Sequence, residues 1–268
     1  MLSSALTRGS SLVQGPLWGR HASDWFEIQE AQSLALYDVL LKTLALNRDS
    51  ALLDAGCGSG MFCQLASQRG ASVMGLDASS GLLDLARKRA PHVAFFEGEM
   101  EELPFVDLTF DAVTMLNSLQ HIANPLRALT EARRVLRPGG RLAVAAWARH
   151  EQCHIADFFS KLDQLLPVES PNTPAAFAFS NTDILYKNAA RAGFTKVLEA
   201  EALTIWNYPN EDVALRGLLA TSAAVQAIDC AGMERVRETV RQFLVPFRLP
   251  RGGYRLENAF RYLIAQRF

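Results

Sequence analysis

The chain has 268 residues and a formal net charge of −1, enough length for one large domain or a domain carrying an inserted cap. Its scattered Lys and Arg give no basic field for nucleic acid, and no apolar run approaches membrane-spanning length, so neither nucleic acid nor membrane is an expected partner. Cys57, Cys63, Cys153 and Cys230 show neither metal nor disulfide spacing, which points to a reducing, cytoplasmic setting without a metal site.

Residues 1–22 contain Arg8 and Arg20, several serines and no acid. That is the composition of a targeting segment, or of a disordered or loosely docked arm ahead of a domain over 23–268. Trp18 and Trp25 follow. Leu34, Leu36, Tyr37, Leu40, Leu41 and Leu44 then recur at helical intervals up to about Asn47. Leu52-Leu53-Asp54-Ala55 reads as a buried strand running into Gly56, Gly58 and Gly60. Phe62, Leu65 and Ala66 have one-face helical spacing, so the glycine loop leaves a strand and enters a helix. Glycines there let backbone approach a ligand, and the helix start behind them offers free N–H groups.

A second strand over 71–77 ends in Asp77, a little over twenty residues after the loop, where an acid reaches ribose hydroxyls in dinucleotide folds. Ala78 lies beside it, and Ser79 is an N-cap candidate for the next helix. Residues 93–97 form a third strand, followed by Gly98-Glu99-Met100-Glu101-Glu102-Leu103-Pro104-Phe105. A fourth strand over 110–116 delivers Asn117 and His121 to the carboxyl end of the sheet, where ligands bind. An amphipathic helix marked by Leu126, Leu129, Ala132, Val135 and Leu136 stops at Arg137-Pro138-Gly139-Gly140, and 142–147 is the fifth strand. Beyond it the spacing predicts a helix over 155–166, a Pro-rich loop over 167–174, a helix to Ala192, a strand over 195–206, a helical block over 213–244 and a terminal strand over 260–268.

The ligand class turns on two details of the glycine loop. It departs from G-x-G-x-x-G, and Asp54 precedes its first glycine, where a carboxylate repels a pyrophosphate and attracts a cation. S-adenosylmethionine carries an ammonium and a sulfonium and no phosphate. The D-x-G-x-G-x-G pattern of residues 54–60 resembles motif I of the class I S-adenosylmethionine-dependent methyltransferases. The segment from Gly98 to Phe105 and the L-R-P-G-G turn are similar to the type 11, small-molecule group. The resemblance implies an α/β, Rossmann-like sheet of seven strands, six parallel and one antiparallel, with helices on both faces. The cofactor core would span 48–148, and helical cap segments 150–192 and 210–248 would wall off the acceptor.

The resemblance further implies that Asp54, Gly56, Gly58, Gly60, Asp77, Ala78, Glu99, Met100 and Asn117 hold S-adenosylmethionine. Glu99 would accept the adenine amino group, and Trp18 or Trp25 would cover the cofactor. His121 is the candidate base, with His150 and His154 as alternatives. Phe177, Phe179, Trp206, Tyr208, Phe243 and Phe247 suggest an apolar or aromatic acceptor. Three rivals remain open: a methyltransferase acting on RNA or protein, a non-methylating user of the same cofactor and fold, and a binding protein that keeps the pocket without turnover. The oligomeric state, with a homodimer as one option, is not legible.

Overall fold

A computed structural model describes residues 9–167 and 176–268. Residues 1–8 of the expected arm and most of the expected Pro-rich loop lie outside that range. Helix α1 (Ser11–Gly19) leads to a short α2 (Ala22–Asp24), a π-helical turn (Trp25–Gln29), a 3-10 turn (Glu30–Ser33) and α3 (Leu34–Leu44). The alternating core follows: β1 (Ala51–Ala55), α4 (Met61–Gln68), β2 (Ser72–Asp77), α5 (Ser80–Arg89), β3 (Ala94–Glu97), β4 (Phe110–Leu116), α6 (Pro125–Val135) and β5 (Leu136–Trp147). Next come α7 (Ile155–Asp163), α8 (Thr182–Arg191), β6 (Phe194–Tyr208), α9 (Glu211–Leu219), α10 (Ser222–Ala231), α11 (Met233–Leu244) and β7 (Tyr254–Arg267).

The seven strands form one sheet in the order β3-β2-β1-β4-β5-β7-β6. β7 runs antiparallel to β5 and β6, and the other neighbouring pairs are parallel. This is the Rossmann-like arrangement expected from the sequence. Parallel strands buried on both faces read as continuous apolar runs, as Leu52, Leu53, Val113, Met115, Val144 and Ala145 do, all nearly or wholly inaccessible. Two apolar clusters, one on each side, account for the helices on both faces.

Local chemistry sets the helix starts. Ser79 accepts the Leu82 N–H at the head of α5, and Asn124 accepts the Arg127 N–H ahead of Pro125 in α6. Asn210 and Thr221 do the same for α9 and α10.

Three expectations change. The N-terminal arm is not loose from Ser10 onward: α1 is docked, with the Ser10 and Ser11 N–H groups donating to Glu101 and Glu99 at 3.0 and 2.7 Å. Within the helical block the run expected over 213–228 is two helices, α9 and α10, that meet at 90°, and α11 follows. Thr221 closes α9 by donating to Leu218 O and opens α10 by accepting the Ala224 N–H, and this double role makes the corner. The last strand begins at Tyr254, earlier than expected, because β6 is long enough to pair with it throughout. Among the described residues, no single helix is long and apolar enough to cross a membrane.

Candidate functional site

The sheet order places β1 and β4 side by side while their chains continue to opposite flanks, to β2 and to β5. A crevice opens at the carboxyl ends of strands where the order reverses in this way. The glycine loop, Asp77, residues 98–100 and Asn117 all arrive there. The loop is pinned by the Gly56 and Cys57 N–H groups, both donating to Leu76 O at 2.7 and 3.0 Å. Gly58 has φ +54°, and a Cβ built there would point into open space 3.5 Å from Glu30 Oε1 and 3.6 Å from Trp25 Nε1. A side chain at 58 would fill the crevice.

The crevice holds a cavity of about 780 Å³ of empty space, the loop cavity. Gly56, Gly58, Asp77, Ala78, Glu99, Met100, Asn117 and His121 all line it. Asp77 turns one carboxylate oxygen to the Gly58 N–H at 2.9 Å and the other to the Ser79 N–H at 2.8 Å. Its carboxyl is held above the usual carboxylate range by burial, against the hydrogen bonds that favour the anion. Glu99 faces the cavity, but its Oε2 is occupied by the Ser11 N–H of α1.

Two predicted ligands do not reach the cavity. Asp54 points beneath the loop, 2% exposed, accepting Thr114 Oγ1 at 2.6 Å and Cys63 Sγ at 3.5 Å. Desolvation pushes its carboxyl up to about 7. A strand residue alternates between faces, and this one faces the α4 side rather than the crevice. Gly60 is a packing glycine: a Cβ there would come within 2.9 Å of Ala86 Cβ and 3.0 Å of the Phe95 ring.

A second, aromatic cavity adjoins the first. Trp18, Trp25, Ser33, Asn117 and His121 line both. Its other walls include Trp147, Phe159, Trp206, Phe260 and the Thr221–Ser222 corner. Of the six aromatics expected to surround an acceptor, only Trp206 is on its wall. Phe179, Tyr208 and Phe243 pack in the core, Phe177 stacks on Trp147 and Phe247 on His154. Trp147 and Phe260, opposite one another across the β5–β7 pair, were not singled out because each reads as ordinary strand core.

His121 packs edge-on to Trp18, with ring centroids 5.3 Å apart, and burial lowers its imidazole to about 4. It is therefore neutral near pH 7. His150 and His154 line neither cavity; His154 Nδ1 accepts the Glu257 N–H. Asn117 takes φ +53°, a left-handed conformation that Asn tolerates better than most residues, and its Oδ1 accepts Gln120 Nε2 at 2.5 Å. The turn holds its side chain between the two cavities.

Glu30 was not foreseen. It lines the loop cavity while 2% exposed, paired with Arg89 and accepting Ser59 Oγ at 2.5 Å. No motif marks it, since its partners come from α5 and the glycine loop. Gln14 Oε1 and Trp25 Nε1, both belonging to residues that line this cavity, are buried without a hydrogen-bond partner.

Residues 53–144 match the family model described as "Methyltransferase domain", type 11. A demethylmenaquinone methyltransferase of Renibacterium salmoninarum is 38% identical over 97 residues, 36% of this chain and 41% of that one. A 2-phytyl-1,4-naphtoquinone methyltransferase of Trichormus variabilis is 33% identical over 136 residues, 47% of this chain and 58% of that one. The chain thus spans about half the length of these curated relatives or little more. Among solved structures, a methyltransferase-like protein of Bacillus halodurans overlays with a TM-score of 0.59 at 18% identity, covering 86% of this chain and 97% of that one, a likeness of fold.

The methyl donor of this domain family is S-adenosylmethionine, and the loop cavity fits it. The glycine cradle would be filled by any Cβ at 58, buried polar atoms stand there without partners, and among the described residues its lining carries three carboxylates and no Lys or Arg. Residues 53–144 thus match a methyltransferase domain of the type 11 group, and the Rossmann-like fold and the cavity chemistry agree with that match.

Proposed function

We propose that this protein transfers a methyl group from S-adenosylmethionine to a small, apolar, aromatic acceptor held in the aromatic cavity. One observation carries the reading: the two cavities share Trp18, Trp25, Asn117 and His121, so a donor in one and an acceptor in the other would meet across these side chains. The bound cofactor supplies an electrophilic methyl group on a sulfonium leaving group. The chain's contribution is alignment and exclusion of water. Asp77 is suited to ribose hydroxyls and Ala78 and Met100 to the adenine faces. Gly58 gives the ligand backbone access. Trp18 on α1 closes the cavity from above.

Among the described residues the acceptor wall holds no Lys, Arg, Asp or Glu, which favours a neutral acceptor. His121, uncharged and on the boundary, is available to take a proton where the nucleophile must lose one. The quinone chemistry in the names of two relatives agrees with a planar, apolar acceptor.

The test is a panel of quinols, phenols and polar amines with methyl-labelled cofactor, read by product mass. Label on the aromatic acceptors is expected; label only on charged, polar acceptors would overturn the acceptor class. In addition, Trp206→Ala should raise the acceptor KM by about tenfold or more, as for loss of a large buried aromatic contact. Cofactor affinity, measured by calorimetry, should stay within about twofold in that variant.

A further inference from the structure

The cavity's charge balance raises a question that the glycine loop does not answer. Asp54, the carboxylate that the sequence offers to a cation, is turned away beneath β1. Of the three carboxylates on the cavity wall, Asp77 spends an oxygen on each of two backbone N–H groups, and Glu99 is engaged by Ser11 and Glu101 N–H groups. Glu30 is arranged differently. Its Oε2 carries the Arg89 and Ser59 contacts, while Oε1 takes only a long contact from the Met61 N–H at 3.3 Å. That oxygen, which keeps a lone pair beyond the Met61 contact, faces the point above Gly58 at 3.5 Å. The Trp25 indole nitrogen faces the same point at 3.6 Å and has no hydrogen-bond partner among the described residues.

A donor and an anionic acceptor converging on one point, over backbone that carries no side chain, form a receptor for a zwitterion. We infer that residues 25–30 recognise the amino-acid end of the cofactor: Trp25 Nε1–H donates to its α-carboxylate and Glu30 Oε1 accepts from its α-ammonium. The inference rests on the cofactor reading above. The π-helical turn over Trp25–Gln29 is what brings both side chains to one side, because its wider coil shifts the spacing from that of an α-helix. Arg89 fixes Glu30 from behind, itself held by Ser59 O at 2.8 Å and Phe26 O at 3.2 Å and lying over the Phe26 ring at 4.0 Å. The carboxylate is thus oriented before any ligand arrives.

The experiment compares calorimetric affinities for S-adenosylhomocysteine, which has the amino-acid end, and 5′-methylthioadenosine, which lacks it. Trp25→Phe and Glu30→Gln should each weaken S-adenosylhomocysteine by about tenfold or more, as for loss of a charge-assisted hydrogen bond, and leave methylthioadenosine within about twofold. Glu30→Gln also loosens Arg89 and can unfold the chain, so a second measurement stands apart from it. The wild-type protein should bind the decarboxylated homologue of S-adenosylhomocysteine more weakly than the parent, and that gap should close in Trp25→Phe. Equal weakening of ligands with and without the amino-acid end, or an unchanged gap, overturns this assignment and leaves the cofactor reading standing. Failure of the wild-type protein to bind S-adenosylhomocysteine overturns both.

Discussion

Asp54 carries an unusual position for a motif residue: an acid with a strand's burial and no counter-cation in contact. Desolvation raises its carboxyl to about 7, offset in part by the Thr114 and Cys63 hydrogen bonds, with Glu30 and Asp77 adding repulsion. A raised folded-state value means that the folded chain holds a proton that the unfolded chain releases near pH 4. Asp54's contribution is therefore fully present below that pH and is lost as pH rises toward 7. Thermal melts over this range should show the wild type falling behind Asp54→Asn, by a few kcal/mol at most. A constant gap between the two would contradict the buried, hydrogen-bonded placement. His121 shifts the opposite way for the same reason, since burial disfavours its cation. The rate profile should accordingly lack an inflection near the ordinary histidine value of about 6.5 and decline only on approach to about pH 4. A break near 6.5 would contradict the buried placement of His121 as the group that takes the proton.

Helix α1 makes the cavity a cavity. With its N-cap Ser10 it supplies Gln14 and Trp18 to the wall, and it is anchored at its start by Glu99 and Glu101. Its close approach depends on Gly15, where a Cβ would lie 2.4 Å from Ala78 O. That oxygen is backbone and cannot swing aside. Gly15→Val should lift α1 from β2's end and weaken S-adenosylhomocysteine binding by about tenfold or more, with melting changed by only about 1 kcal/mol, because α1 lies outside both core clusters. Calorimetry together with a melting curve checks both halves. The α9–α10 corner does comparable work for the aromatic cavity by presenting Thr221 and Ser222.

Taken as a unit, the protein is a sheet whose strand order creates one crevice, roofed on one side by the N-terminal helices and on the other by the α9–α11 segment inserted between β6 and β7. Because ligand and fold share this crevice, binding should stabilise the chain. At a hundredfold excess over Kd, S-adenosylhomocysteine should contribute about 2.7 kcal/mol and raise Tm by roughly 5–10 °C. NADH should give no such shift, since among the described residues three carboxylates and no Lys or Arg line the cavity.

Local pattern in the sequence was enough for the strand–helix alternation from Leu52 to Trp147, for the glycine loop and for Asp77. Those features depend on period, turn chemistry and short-range caps, and each is written in a few neighbouring residues. The reversed last strand came with the family resemblance, and the sheet carries it. Contacts between distant segments were not legible. Glu30 meets Ser59 and Arg89, Glu99 meets Ser11, and Trp147 faces Phe260 only once the sheet has closed. Asp54 shows the limit most plainly: its position in the motif was readable, but the direction of its side chain was set by which face of β1 packs against α4. Chain proximity governs the first kind of fact, and packing of elements far apart in sequence governs the second.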